Sequence, residues 1–128
     1  LQFGLRITTL VRETTAQAWR DAEAKVAEMA ASNGVRWNDH LQAIAVGQRR
    51  LLELHHQGDV LDDNLYTAPG KFGGGGAATT WLVGSAEDVA ASLKKYQALG
   101  VSHFILSDTP YLKEIKRQGD ALLPLLRD

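Results

Sequence analysis

Three groups of side chains in this sequence are of the types that bind ligands or take part in catalysis. The first lies in the run Gln2 to Arg12, where alternation places Gly4, Arg6 and Thr8 on one face of a predicted strand, opposite three apolar side chains. Two interpretations of that polar face stay open. It lines a polar space, or it is the solvated face of an edge strand.

The second group is the glycine-rich run Gly70 to Gly76, which has the composition of a phosphate-binding loop. A P-loop places its lysine after the glycines, directly before Ser or Thr, whereas Lys71 precedes Gly73, Gly74, Gly75 and Gly76. A separate phosphate-binding domain is therefore ranked last. Because glycines allow large backbone excursions, the run predicts a mobile lid.

The third group consists of residue types that ligate metals. His55 and His56 are adjacent, and adjacent side chains on a helix point about 100° apart, so they do not chelate one ion readily. Asp59, Asp62 and Asp63 lack the glycine and the distal glutamate of a calcium loop. The sequence predicts no metal site.

Two helices are predicted after the first strand. Thr14 or Thr15 can cap the first, and its apolar stripe of Trp19, Ala22, Val26 and Met29 predicts packing against a core. Asn33-Gly34 ends this helix. A second helix begins at Asn38 or Asp39 and extends to the pair of histidines.

The later part of the chain predicts a helix, a strand and another helix. Thr80 to Val89 is interpreted as a helix start, with Ser85 and Asp88 as a capping box and Gly100 as the stop. The run Val101 to Ser107 is predicted as a buried strand. A final helix follows Thr109-Pro110, with its apolar side formed by Leu112, Ile115, Leu122 and Leu123. This order predicts an α/β protein with parallel strands.

Composition limits the function classes. The 14 Lys and Arg residues nearly balance the 15 Asp and Glu residues, which gives no electrostatic reason to expect nucleic acid or an anionic membrane as partner. No apolar run approaches the roughly 20 residues of a membrane span. The chain has no cysteine, which excludes disulfides and thiolate chemistry. We expect a cytoplasmic protein.

Three ordered segments resemble the C-terminal part of the bacterial-luciferase-like, flavin-dependent monooxygenases, and most closely the alkanesulfonate monooxygenase branch. The segment Phe3 to Trp19 resembles the seventh-strand segment of that family, and Leu82 to Ala90 resembles the helix before its last strand. Leu99 to Leu126 resembles the eighth strand and the closing helix. The similarity spans nearly the whole chain.

The resemblance implies a fold. It makes the chain the C-terminal portion of a (β/α)8 barrel, about two strand–helix units with a helical insertion and a glycine-rich lid, where a whole barrel takes about 250 residues. Residues 1–128 then form one fragment, with a strand over 1–12, helices over 14–58, a flexible lid over 59–80 and a helix–strand–helix unit over 85–128. The start at Leu1 agrees with a piece of a longer protein.

The resemblance also implies a reaction. Reduced FMN is a diffusible co-substrate delivered by a separate NAD(P)H-dependent flavin reductase, and its reaction with O2 gives a C4a-peroxyflavin that oxygenates an alkanesulfonate or a related small organic substrate. The isolated chain is expected to be inactive, the full-length protein to be a homo-oligomer, and most flavin ligands to lie in the N-terminal part.

Site residues follow from the same resemblance. Arg6 matches the family's arginine, and Thr8 stands where the branch has histidine; both are assigned to catalysis. Ser107, Thr109 and Tyr111 belong to a motif that usually reads Leu-Ser-Gly-Tyr-Pro-His, and they are assigned to substrate binding. Lys71 is assigned to the same role because it is the cation nearest the lid glycines.

Two alternatives remain at this point. Arg6 binds an oxyanion, or it is a structural arginine paired with a carboxylate of the missing part. The whole chain is part of an enzyme, or it is a non-catalytic truncated paralogue or interaction module, as the absence of the histidine and tyrosine of the motifs suggests.

Overall fold

The computed structural model describes residues 1–33, 53–54, 57–70 and 80–127. Within these ranges, none of the helices has the length and apolar character needed to cross a membrane. The described strands and helices follow one another as β1 (Phe3–Arg12), α1 (Thr15–Asn33), β2 (Val60–Leu61), β3 (Leu65–Tyr66), β4 (Trp81–Ser85), α2 (Ala86–Ala98), β5 (Val101–Ser107), α3 (Tyr111–Ala121) and α4 (Leu123–Leu126).

The five strands form one mixed sheet in the order β2-β3-β4-β1-β5. Strand β1 pairs in parallel with both neighbours, so that Thr8 lies opposite Trp81 of β4 and opposite Ser107 of β5. Strand β3 pairs antiparallel with both of its neighbours, β2 and β4. The first predicted strand is therefore an interior strand of the sheet, and the edge-strand interpretation of it is wrong.

Strand β4 occupies residues that the sequence analysis assigned to a helix start. Trp81 to Val83 are buried between β1 and β3, and the helix begins only at Ala86. Periodicity cannot distinguish a buried strand from a buried helical turn in an apolar run this short. The described residues thus contain three parallel strands, each followed by a helix, where about two strand–helix units were expected.

The predicted cap of α2 is confirmed in part. The Ser85 hydroxyl accepts a hydrogen bond from the backbone N–H of Asp88 at 3.2 Å, and Gly100 adopts φ of 110° after the helix. The reciprocal half of the capping box does not form. The Asp88 carboxylate accepts from the Thr15 hydroxyl, which in turn accepts from the Ser85 N–H at 3.1 Å, and this links the start of α1 to the start of α2.

Replacing Ser85 by alanine is expected to lower the free energy of unfolding by about 1 kcal/mol, because the Asp88 N–H loses its acceptor. Urea denaturation of the two proteins measures the difference. The conservative Ser85→Asp variant keeps an acceptor and should stay close to the wild type. Equal losses in Ser85→Ala and Ser85→Asp would contradict the capping role.

Helices cover both faces of the sheet. On one face, α1 packs its predicted stripe against Leu10, Trp81 and Val83, which confirms that the stripe serves packing. On the other face, α2 and α4 contribute to a second core that is built from Ile7, Val11, Leu82, Val89, Leu93 and Leu122. Alternate residues of β1 and β4 therefore enter two separate cores.

This arrangement establishes a mixed α/β fold and does not confirm a barrel. A (β/α)8 barrel keeps its strands in chain order and places all its helices on the outside. Here β5 lies on the far side of β1 from β4, and helices lie on both faces, as in open doubly covered sheets.

The first part of the predicted lid is packed into the sheet. Residues 60–66 form the β2–β3 hairpin, and Thr67 is buried, with its hydroxyl donating to the Gly58 carbonyl at 2.5 Å. The segment 59–70 of the predicted lid thus contains a hairpin that is paired with the sheet, and the flexible lid over 59–80 stays a prediction. The glycines from Gly73 to Gly76, Lys71, and His55 and His56 lie outside the described residues, as does nearly all of the second predicted helix.

Two further expectations for the C-terminal part are corrected. Strand β5 is at the edge of the sheet and largely open, with Ile105 63% exposed, so it is not the buried strand that was predicted. Helix α3 buries its polar residues Glu114 and Gln118, while Leu112 and Ile115 are 86% and 61% exposed. Only Leu122 of the predicted apolar side is fully buried, and Pro124 lies in the first turn of α4.

Candidate active site

Parallel strands bind ligands beyond their carboxyl ends, and β5 ends beside the middle of β1, with its last residue, Ser107, opposite Thr8. A cleft of about 190 Å³ opens near the end of β5, between β1, α1 and the chain that leads into α3. Five of the six residues predicted for catalysis or substrate binding line this cleft, namely Arg6, Thr8, Ser107, Thr109 and Tyr111. The sixth, Lys71, lies outside the described residues.

Strand register explains why these residues meet. Because Thr8 lies opposite Ser107, the polar face of β1 ends beside the turn that follows β5. Thr8 is buried, whereas Arg6, Thr109 and Tyr111 are exposed. Arg6 forms no ion pair or hydrogen bond with any residue of the described ranges. The structural alternative placed the carboxylate partner of Arg6 outside this chain, so that alternative stays open. The roles assigned to these side chains stay predictions.

Four other residues line the cleft and were not predicted as site residues: Lys25, Met29, Trp81 and Asp108. Trp81 and Met29 supply apolar surface from β4 and α1. Lys25 precedes Met29 by four positions and therefore lies on the same side of α1, which is the signal that could have found it. Asp108 lies between Ser107 and Thr109, directly after the end of β5.

Lys25 and Asp108 form an ion pair at the cleft. The Lys25 ammonium donates to Oδ1 of Asp108 at 3.2 Å and to the Thr109 carbonyl at 2.9 Å. Oδ1 also accepts from the Thr109 N–H at 2.8 Å. Burial raises the pKa of the Asp108 carboxyl, and the nearby Glu114 adds to this, while the Thr109 N–H and Lys25 act in the opposite direction.

A network of charged side chains lies behind the cleft and joins three elements. The Arg12 guanidinium, 8% exposed, donates to Asp21 of α1 at 2.6 Å and to Glu114 of α3 at 3.0 Å. Glu114 is 2% exposed and also lies 3.5 Å from Arg117. Oδ2 of Asp108 is buried without a hydrogen bond among the described residues, 3.9 Å from the Arg12 Nη1. The network fixes the elements that carry the cleft residues.

A larger cavity of about 290 Å³ lies between the β2–β3 hairpin and α2. Its buried polar side chains, Asn64 and Ser92, hydrogen-bond to each other at 2.5 Å, and its cation, Lys95, is paired with Asp63. It lies away from the carboxyl ends of β1 and β5. The smaller cleft is the better candidate because its arginine has no partner in the described structure.

The cleft suits a small molecule and does not fit a whole flavin. Its volume is below the range of about 300–1,000 Å³ that is usual for pockets that bury drug-sized ligands. The described residues therefore do not enclose FMN. No step of a reaction through the flavin can be assigned to them.

A family model described as luciferase-like monooxygenase matches residues 1–103. The chain belongs to the luciferase-like monooxygenase family. The matched residues include β1, α1, β4 and α2, and with them Arg6, Thr8 and Lys25 of the cleft. Membership in the luciferase-like monooxygenases indicates an oxidoreductase of a family that is generally flavin-dependent, which agrees with the family expected from the sequence. It does not distinguish the alkanesulfonate branch from others.

Proposed function

We propose that this protein is a flavin-dependent monooxygenase that uses reduced FMN and O2 to oxygenate a small organic anion, an alkanesulfonate or a related compound, bound in the cleft. Family membership supports the reaction type. The observation that carries the substrate class is Arg6, an exposed guanidinium with no partner among the described residues, which lies in a cleft with the hydroxyls of Thr8, Ser107 and Thr109.

Each side chain of the cleft has a task in this proposal. The Arg6 guanidinium binds the anionic group through charge-assisted hydrogen bonds. The hydroxyls of Thr8 and Ser107 orient it, and Trp81 and Met29 contact an apolar tail. Reduced flavin, when bound, supplies the activation of oxygen. The residues of this chain bind the substrate, orient it and keep water away.

Further parts of the proposal rest on family resemblance alone. They are a separate NAD(P)H-dependent flavin reductase as partner, a homo-oligomeric and cytoplasmic enzyme, and a (β/α)8 barrel as the fold of the complete enzyme. The glycine-rich run and Lys71 are proposed to close over the substrate.

The decisive experiment is to supply the full-length protein, of which this chain forms a part, with reduced FMN, O2 and a panel of alkanesulfonates of increasing chain length. Oxygen-dependent formation of the corresponding aldehyde and sulfite is expected for at least one chain length. An absence of both flavin binding and turnover would contradict the proposal.

Replacing Arg6 by alanine is expected to lower kcat/KM for the anionic substrate by about 10- to 100-fold, since a hydrogen bond to a charged group contributes about 1.5–3 kcal/mol. Because Arg6 is exposed and unpaired in the described structure, the melting temperature should hardly change. The matched control is Arg20→Ala, which removes another exposed arginine and should leave both quantities unchanged. Parallel losses of activity and stability in Arg6→Ala would instead indicate a structural arginine.

A second candidate function is that of a non-catalytic interaction module of the same family. The observation that favours it is the exposed apolar side of α3, formed by Leu112 and Ile115. Two results would support this alternative. The wild-type protein would bind no flavin, and the variant Leu112→Asp would lose a binding partner that the wild type binds.

A further inference from the structure

We propose that Lys25 is a second anion-binding residue of the cleft, so that a bound organic oxyanion lies between the Lys25 ammonium and the Arg6 guanidinium. This inference rests on the proposed function, since it concerns the same cleft. It adds a binding residue from α1 that neither the motifs of the strands nor the family match assigns.

The geometry of Lys25 is that of a positioned donor. An ammonium group has three N–H donors. Two of them are used, one by Oδ1 of Asp108 at 3.2 Å and one by the Thr109 carbonyl at 2.9 Å. These acceptors both follow the end of β5, so they hold the ammonium at the cleft. The third donor has no acceptor in the described ranges, and the side chain is 27% exposed where it lines the cleft.

The charges that face the cleft favour an anion. Lys25 and Asp108 compensate each other, and the nearby Arg12 is compensated by Asp21 and Glu114. Arg6 is left as an excess positive charge among the described residues that line the cleft. One singly charged anion would balance it. The anion would accept hydrogen bonds from both cations, and these would be stronger than bonds to neutral donors.

Lys25 also restricts which ligands fit. Its ammonium is fixed by α1 and by the residues that follow β5, whereas Arg6 lies on β1. A ligand that uses both cations must carry its oxygens on more than one side of a compact group, as sulfonates and carboxylates do. A neutral alcohol of the same chain length would gain only the apolar contacts with Trp81 and Met29.

The test is to titrate the protein with butanesulfonate, pentanoate and 1-butanol and to follow binding by NMR chemical shifts. The variant Lys25→Met is expected to bind the better of the two anions about tenfold more weakly or worse, with its affinity for 1-butanol unchanged. The variant Lys25→Arg should keep most of the affinity for the anion. The matched control Lys94→Met removes an exposed lysine of α2 on the other side of the sheet and should bind like the wild type.

The outcomes separate this inference from the proposed function. Wild-type affinity for the anion in Lys25→Met, together with weakened binding in Arg6→Met, would overturn the role of Lys25 and leave the proposed cleft intact. Equal weakening for the anion and for 1-butanol would also overturn it, since that indicates a distorted cleft. Wild-type protein that binds neither anion would overturn both. If Lys25→Met does not fold, Lys25→Gln, which keeps a donor for Asp108, is expected to show the same selective loss.

Discussion

Replacing Arg12 by methionine is expected to lower the free energy of unfolding by about 3–5 kcal/mol, the usual loss when one partner of a buried ion pair is removed. Methionine keeps much of the side-chain volume, so the loss is mainly electrostatic. The change leaves Glu114, which is 2% exposed, without its closest cation, and it removes the guanidinium that lies 3.9 Å from Oδ2 of Asp108. Chemical denaturation at neutral pH measures the effect.

Two control variants define what this loss means. Lys116→Met removes a lysine from an exposed pair with Asp120 in the same helix as Glu114, and it should leave the stability nearly unchanged because water screens an exposed pair. The double variant Arg12→Met, Glu114→Met leaves no unpaired charge at this contact and should be more stable than Arg12→Met alone. If Arg12→Met is as stable as Lys116→Met, the charged network contributes nothing to the stability of the fold.

Replacing Leu93 by alanine is expected to lower the free energy of unfolding by about 2–5 kcal/mol. Leu93 is 1% exposed and lies in the core that joins α2 to Ile7 of β1 and Leu82 of β4. Truncation removes buried methyl groups and leaves a cavity between a helix and two strands, which cannot easily collapse because the strands are fixed by pairing. The melting temperature and the urea midpoint both report the change.

The matched control is Leu112→Ala, the same substitution in helix α3 at a position that is 86% exposed. It should stay within about 0.5 kcal/mol of the wild type. A loss in Leu112→Ala as large as that in Leu93→Ala would mean that α3 is covered in solution, which would favour the interaction-module alternative. Equal stability of Leu93→Ala and wild type would contradict the described core.

Local signals in the sequence were sufficient to predict several features of the fold. The cap at Ser85, the stop at Gly100 and the packing stripe of α1 depend on residues within one or two helical turns of each other, so they can be recognised without knowledge of the rest of the fold. The alternation of apolar and polar side chains in β1 could also be recognised from the sequence. It distinguished the two faces of the strand, which contribute to two separate cores.

The wrong predictions for α3 and β4 have a common cause. The structure of these segments depends on contacts with residues that are far away in the chain. Helix α3 buries Glu114 and Gln118 because Arg12 and the Thr9 carbonyl, far away in the chain, bind these two side chains. Hydrophobicity alone predicted the opposite side of this helix as buried. Likewise, the short run from Trp81 to Val83 becomes a strand only because β1 and β3 pair with it on either side.

The residues selected for the candidate site lie close together, although several of the elements that carry them were predicted wrongly, and the roles of these residues stay predictions. Resemblance selected Arg6, Thr8, Ser107, Thr109 and Tyr111, and the structure brings them to one cleft. Lys25 was missed because it belongs to a helix whose stripe was interpreted as packing. Its position at the cleft depends on the ion pair with Asp108, which joins α1 to the end of β5 and leaves no pattern in either segment alone.

The place of β1 in the sheet has a consequence for how the protein folds. Both parallel partners of this strand, β4 and β5, come from the last part of the described chain. Their pairing with β1 therefore closes two long loops. Loop closure costs conformational entropy, and this cost comes before the contacts of the sheet can offset it. During synthesis, β1 leaves the ribosome well before β4 and β5 do, so its pairing with them is delayed. We therefore expect slow refolding, limited by the arrival of β4 and β5, and a dependence on chaperones at physiological temperature.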